Sequence, residues 1–150
     1  MLFRSVYQDQ QNYSLAIDDF AKAIEFNHLV ADIFCNRGYV YNRLHQYAKA
    51  IEDFYVATNI DSECTGAYLG RGRSYLGLYK FEKALTDINE AIALDERFPS
   101  GYILRALVFR MMGNEKEAIK NEEYATDIKI KIMIVKQERR VTHWSELKKR

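Results

Sequence analysis

The sequence predicts an all-α protein of stacked helical hairpins, and three observations carry that prediction. Three stretches superpose at intervals of 34 residues: FCNRGYVYNRLHQYAKAIEDFYVATNI from Phe34, YLGRGRSYLGLYKFEKALTDINEAIAL from Tyr68, and YILRALVFRMMGNEKEAIKNEEYATDI from Tyr102. Within them the matched columns keep their size: Gly38, Gly72 and Ala106 are small, Tyr41, Tyr75 and Phe109 aromatic, and Ala50, Ala84 and Ala118, then Ala57, Ala91 and Ala125, small again. Each unit reads as two helices whose small residues let backbones approach while Tyr41 and Phe54 fill the gaps beside them. One such hairpin cannot bury both of its faces, so neighbouring hairpins must stack. Finally, one Pro and seven Gly beside 48% hydrophobic and 29% charged residues exclude collagen-like, low-complexity and disordered classes.

The elements follow in order. Carrying the register backwards places Tyr7, Ala16, Ile17, Phe20 and Ala23 in the repeat positions, giving a first unit with only part of its first helix, up to a join at Asn27–His28. The second unit turns around Leu44 to Gln46 and ends at the join Asp61 to Glu63. The third turns around Gly77 to Tyr79 and ends at Asp95 to Pro99, where Pro99 suits the first turn of the next helix and marks no domain boundary. The fourth turns at Gly113 and Asn114. The units are therefore about 1–30, 31–64, 65–98 and 99–128, followed by a basic capping helix over 129–150. Ile128-Lys129-Ile130-Lys131-Ile132 alternates like a strand, but an isolated strand would have no backbone partner, so helix is expected from about Ile132, secured by Ile132, Val135, Trp144 and Leu147.

Length and charge bound the function. At 150 residues and 17.6 kDa the chain is the size of one domain and can bury a core without metal or disulfide staples. Cys35 and Cys64 allow at most one bridge and form no metal-ligand cluster, which points to a reducing, cytoplasmic home. The first ten residues have no long apolar core, so no secretory signal is expected. No apolar run reaches the roughly 20 residues that span a bilayer, since Ile128 to Val135 is interrupted by Lys129 and Lys131, and a soluble protein is expected. Residues 1–128 hold 14 Lys/Arg against 19 Asp/Glu, a charge of −5, and residues 129–150 hold 8 against 2, a charge of +6. The basic end could meet nucleic acid or an anionic membrane, but it has no recurrent aromatic stacking pattern, and a polar cap is the better reading.

Two charged columns run through the repeat. Arg37, Arg71 and Arg105 form one, and Asp19, Asp53, Asp87 and Asn121 the other. Pairing each acid with the following unit gives Asp19–Arg37, Asp53–Arg71 and Asp87–Arg105, which leaves no arginine without a carboxylate. Inter-unit ion pairs are therefore expected, in preference to an anion-binding ladder.

These columns resemble the tetratricopeptide repeat family, in the variant with Asn36-Arg37-Gly38 in a first helix and Ala50-Ile51-Glu52-Asp53-Phe54 in a second; Glu122 departs from the aromatic column of Phe20 and Phe54. The resemblance covers about Met1 to Ile128. It implies a right-handed α-α superhelix whose first helices line a concave groove that binds peptides or partner proteins. The groove residues it implies are Asn36, Tyr39, Asn42 and Arg43, with Cys35, in the second unit, Leu69, Arg73 and Leu76 in the third, and Ile103, Leu107 and Arg110, with Met111, in the fourth. Asn36 would meet an extended backbone, Tyr39 supply an aromatic wall, Arg73 take a carboxylate, and Leu69, Leu76, Ile103 and Leu107 select apolar side chains. Relatives that bind chaperone tails use a two-carboxylate clamp whose places here are Met1, Ser5, Tyr39, Leu69 and Arg73; only Arg73 is cationic, so that partner is not the default.

Chemistry is not signalled. His28, His45 and His143 lie apart in the repeat, no serine or cysteine has a base and an orienting group in view, and there is no phosphate-binding Gly-Lys loop. The expected function is a non-catalytic interaction scaffold without cofactors. The alternative is a structural module forming a homo-oligomer through an apolar solenoid edge near Tyr7, Phe20 and Ile24.

Overall fold

A computed structural model describes residues 2–147, with side chains over 12–140. All of its regular structure is helical: α1 (Leu2–Phe26), α2 (Ala31–Arg43), α3 (Tyr47–Ile60), α4 (Thr65–Gly77), α5 (Phe81–Leu94), α6 (Pro99–Met111) and α7 (Glu115–Leu147). The pairs α2/α3, α4/α5 and α6/α7 pack against each other as helical hairpins, the architecture the fold class predicts. The chain divides into two compact units, Met1–Asp95 and Glu96–Arg150, called the first and the second unit from here on, while the repeats are named by their helices. The repeat register runs through that division without a break, so nothing in the pattern signals it.

Each hairpin closes in the same way. His45 donates its backbone N–H to the Asn42 carbonyl at 3.1 Å and Gln46 to that of Tyr41 at 2.9 Å; Tyr79 and Lys80 bond Leu76 and Tyr75, and Gly113 and Asn114 bond Arg110 and Phe109. This double bond is the Schellman closure of a helix end, and it needs a left-handed residue. His45, Tyr79 and Gly113, at φ 57°, 58° and 80°, supply it at intervals of one repeat. Joins are fixed by side chains instead: Asn27 Oδ1 accepts the Leu29 amide at 3.0 Å and Asp61 Oδ1 the Glu63 amide at 2.9 Å, again one repeat apart.

In the first unit α1 packs on α2, α3 on α2 and α4, and α5 on α4. Its core gathers Phe34, Cys35, Ala50, Phe54, Ala57 and Ala67, with Ile24 and Cys64 against them. Phe54 is fully buried, and its ring fills the space a side chain would need at both Gly38 and Gly70; a Cβ on Gly38 would stand 2.9 Å from it. One phenyl ring thus wedges its own hairpin's first helix and the next one's, which is why neither position carries a side chain. In the second unit the core is Tyr102, Leu104, Ala106 and Val108 from α6 and Ala118 and Ala125 from α7, with Tyr102 and Tyr124 stacked at 5.5 Å.

Both end helices exceed their expected lengths. α1 passes straight through Gln10 to Asn12, where the repeat register would place a turn. α7 runs 33 residues without interruption. The expected terminal helix from Ile132 is therefore the far part of the last hairpin's second helix, and the strand-like alternation is helical. At about 1.5 Å per residue α7 spans about 50 Å against about 20 Å for α6, so α6 cannot cover its far half. The proposed anchors do not bury: Val135 is exposed and Ile132 only half-buried, beside exposed Ile130, Met133 and Ile134. The side chains of Trp144 and Leu147 lie outside the described residues.

Candidate interaction surface

The arginine column folds inward on its own hairpins. Arg37 donates from Nε and an η-nitrogen to the two Asp53 carboxylate oxygens at 2.8 and 2.7 Å, and Arg71 does the same to Asp87 at 2.8 Å on both arms. Arg105 Nε donates to Asn121 Oδ1 at 2.7 Å, and Asn121 Nδ2 to the Glu117 carbonyl at 2.7 Å. The expected inter-unit pairs Asp19–Arg37, Asp53–Arg71 and Asp87–Arg105 are thus corrected: every pair joins residues 16 apart, on the facing sides of one hairpin. Counting charges misled, because an amide oxygen accepts from a guanidinium as a carboxylate does. Asp19 instead meets Lys22 at 3.7 Å on the surface. Arg71 also reaches back to the preceding repeat, donating to the Thr58 hydroxyl at 3.2 Å. Hydrogen bonding to Asp53 and Asp87 raises the pKa of Arg37 and Arg71, whereas burial lowers that of Arg105.

The residues assigned to the groove separate into two groups. Leu69 and Leu76 are each 6% exposed and Cys35 and Asn42 are buried, so these four offer no surface for a ligand. Asn42 is a structural stitch: its Nδ2 donates to the Gly70 carbonyl at 3.0 Å, and its Oδ1 accepts from the Ser74 hydroxyl at 2.7 Å, tying α2 to α4. Tyr39 adds a parallel stitch from its hydroxyl to the Gly66 carbonyl at 2.6 Å, with its ring edge-on to Phe54 at 5.2 Å. A hint of this was available in Gly66, Gly70 and Ser74, which are four residues apart along one face of α4 and small enough to admit those side chains.

Of the groove residues assigned in the first unit, Asn36, Tyr39, Arg43 and Arg73 stay exposed, Tyr39 only marginally. Burial pushes the Tyr39 hydroxyl up to about 12, and Arg73, whose charge acts in the opposite sense, is close enough to be felt there. Among the described residues Arg43 and Arg73 have no carboxylate within ion-pair distance, while Arg37, Arg71 and Arg110 do. Cys35 is inert: burial, foremost, and the neighbouring Cys64 thiol push it up to about 12, so it stays protonated at neutral pH.

In the second unit Ile103, Leu107 and Met111 are each more than 40% exposed and stand four residues apart along α6, an apolar stripe. Arg110 does not join it, because its guanidinium is held by Glu122 at 2.7 and 3.0 Å and by Glu115 at 3.1 Å. Glu122, which replaces the aromatic of Phe54, is thus a partner of Arg110, and the pairing lowers its pKa. Among the described residues no group of three or more His, Cys, Asp or Glu is placed to hold a metal ion, and no helix is long and apolar enough to cross a membrane. His45 Nδ1 shares a hydrogen bond with the Tyr47 hydroxyl at 2.7 Å, His28 is exposed, and the side chain of His143 lies outside the described residues.

Comparison with known proteins bears on this architecture. A sequence profile of the tetratricopeptide repeat matches residues 31–64, the α2/α3 hairpin with its joins. No curated protein matches the chain. Among solved structures, a crystal structure of MamA superposes with a TM-score of 0.74 at 20% identity, covering 86% of this chain and 75% of its own. The TPR domain of Arabidopsis OM64 does so at 0.65 and 24%, covering 72% and 88%. The first TPR of Spaghetti (RPAP3), bound to the HSP90 peptide SRMEEVD, does so at 0.66 and 25%, covering 73% and 86%. The fold is a tetratricopeptide-like array of helical hairpins.

Proposed function

We propose that the chain is a protein-interaction scaffold whose first unit binds an extended, acidic peptide across α2 and α4. The observation that carries this reading is the pair of exposed arginines, Arg43 and Arg73, which no carboxylate of the described chain engages. Arg73 takes a carboxylate in a bidentate contact, Tyr39 gives the peptide an aromatic wall, and Asn36 bonds its backbone. Buried Leu69, Leu76 and Asn42 shape the floor and touch no ligand. In the second unit the stripe of Ile103, Leu107 and Met111 receives apolar side chains of a partner. The peptide bound by RPAP3 contains two glutamates and ends in aspartate, which supports acidic ligands as a class for this fold. The chaperone clamp itself is not proposed, because Tyr39 and Leu69 occupy clamp positions without cationic or amide chemistry. The two free cysteines support a reducing, cytoplasmic setting.

Selection from a displayed random peptide library tests the reading. Wild type should enrich sequences with Asp, Glu or a free carboxylate, and Arg73→Glu, with an unchanged circular dichroism spectrum, should lose that enrichment. An enriched set that lacks acids, or one that Arg73→Glu leaves unaltered, overturns it. The second reading, self-association through an end of the array, draws on Phe26 and Leu29, which are 92% and 69% exposed. Ile24 is a poor probe for it, since it packs on the core.

A further inference from the structure

The three complete hairpins define what the inner face of a second helix is covered by. Ala50, Ala84 and Ala118 are fully buried, and Ala57, Ala91 and Ala125 nearly so; Asp53, Asp87 and Asn121 between them are buried as well. In each case the cover is a first helix whose arginine reaches the middle residue. α1 repeats this face in sequence as Ala16, Asp19, Phe20 and Ala23, with Tyr13 in the place of Tyr47. Its exposure differs. Ala16 and Ala23 are only half-buried, and the Asp19 carboxylate is 79% exposed, with Lys22 at 3.7 Å as its ion-pair partner among the described residues. α1 meets α2, as a second helix meets the next repeat, and among the described residues no helix covers its own hairpin side.

The complete hairpins also specify the helix that would fit there. An aromatic residue precedes the arginine by three and stacks on its guanidinium, as Phe34, Tyr68 and Tyr102 do at 5.8, 5.4 and 5.3 Å. A small residue follows at once, and an aromatic four residues on. The charge is complementary: over residues 12–26 α1 carries Asp18, Asp19 and Glu25 against Lys22 alone.

We propose that the Ala16, Asp19 and Ala23 face of α1 is a docking site for an arginine-bearing amphipathic helix of a partner protein, which completes a hairpin in trans. The arginine pairs with Asp19, and its small and aromatic neighbours close over the two alanines and Phe20. This site is separate from the α2/α4 surface and does not depend on that reading. The probe is a blocked peptide of residues 31–44 of this chain, which carries every required feature. Fluorescence anisotropy should show it binding the full chain, with affinity falling at least tenfold for Asp19→Asn and abolished for Asp19→Arg. A peptide bearing Arg37→Asp should then recover binding to Asp19→Arg, while Arg73→Glu in the protein leaves every affinity unchanged. Because Asp19 is exposed, circular dichroism should match wild type in each variant. Failure of the peptide to bind, or equal affinity for wild type and Asp19→Arg, overturns the proposal. So does self-association that Asp19→Arg dissolves without any peptide binding, which would place a second copy on this face.

Discussion

An arginine held by a carboxylate and one held by an amide occupy the same place in successive hairpins. Arg37 and Asp53, with side chains 19% and 7% exposed, form a bidentate pair largely out of water. Removing one member of such a pair leaves a desolvated charge, at a cost of about 3 kcal/mol. Arg105 and Asn121 show that an amide oxygen keeps one of the two bonds. Asp53→Ala should therefore destabilise the fold by about 3 kcal/mol and Asp53→Asn by about half as much, read as shifts in urea midpoint at constant slope. Equal losses for the two variants would mean that net charge, not bond geometry, sets the energy. The columns themselves were legible in the sequence because they recur every 34 residues. Their partners were not, since recurrence fixes which positions are equivalent and leaves open which of two equivalent acids an arginine faces. The burial of Leu69 and Leu76 was hidden for a similar reason: periodicity places a leucine on the first helix but says nothing of how closely the neighbouring helix approaches it.

At the level of the element, the turns were found without the feature that makes them. His45, Tyr79 and Gly113 share a left-handed backbone but no side-chain type, so the column is invisible to a search for similar residues. Only Gly113 adopts that conformation without a steric cost. Open space surrounds the position a Cβ would take there, so Gly113→Ala should cost about 1 kcal/mol through backbone conformation alone. Tyr79→Gly should act in the opposite direction and gain less than about 1 kcal/mol, since the edge contact with Phe81 at 6.2 Å is lost. Thermal unfolding checks both, and changes of the same sign would refute the assignment. The end helices make the complementary point. Neither α1 nor α7 contains Gly or Pro, and α1 continues through Gln11, the residue one repeat before His45. Leu44 to Gln46 contains no breaker either, so local propensity does not decide where the helix ends. What bends the chain there is the return of α3 onto α2, with Phe54 seated against Gly38.

Across the whole molecule the charge is divided, −5 over residues 1–128 and +6 over 129–150, and this complicates an acidic ligand. A peptide approaching Arg43 and Arg73 meets a body whose repeats are acidic on balance. The long-range field and the local ion pairs respond to salt in opposite directions. Between about 0.01 M and about 1 M salt the screening length falls from about 30 Å to about 3 Å, which removes the distant repulsion and weakens, without abolishing, contacts at van der Waals range. If bidentate pairing to Arg73 dominates, the affinity of an acidic peptide selected on wild type should fall steadily over that range, and most of the change should appear in the dissociation rate. In Arg73→Glu the local attraction becomes repulsion, so the same peptide should bind more weakly and its affinity should rise with salt. Titration calorimetry of the two proteins at several salt concentrations reads both slopes. A wild-type affinity that rises with salt would show that the net charge of the repeats outweighs the two arginines, and recognition by Arg73 would have to be abandoned.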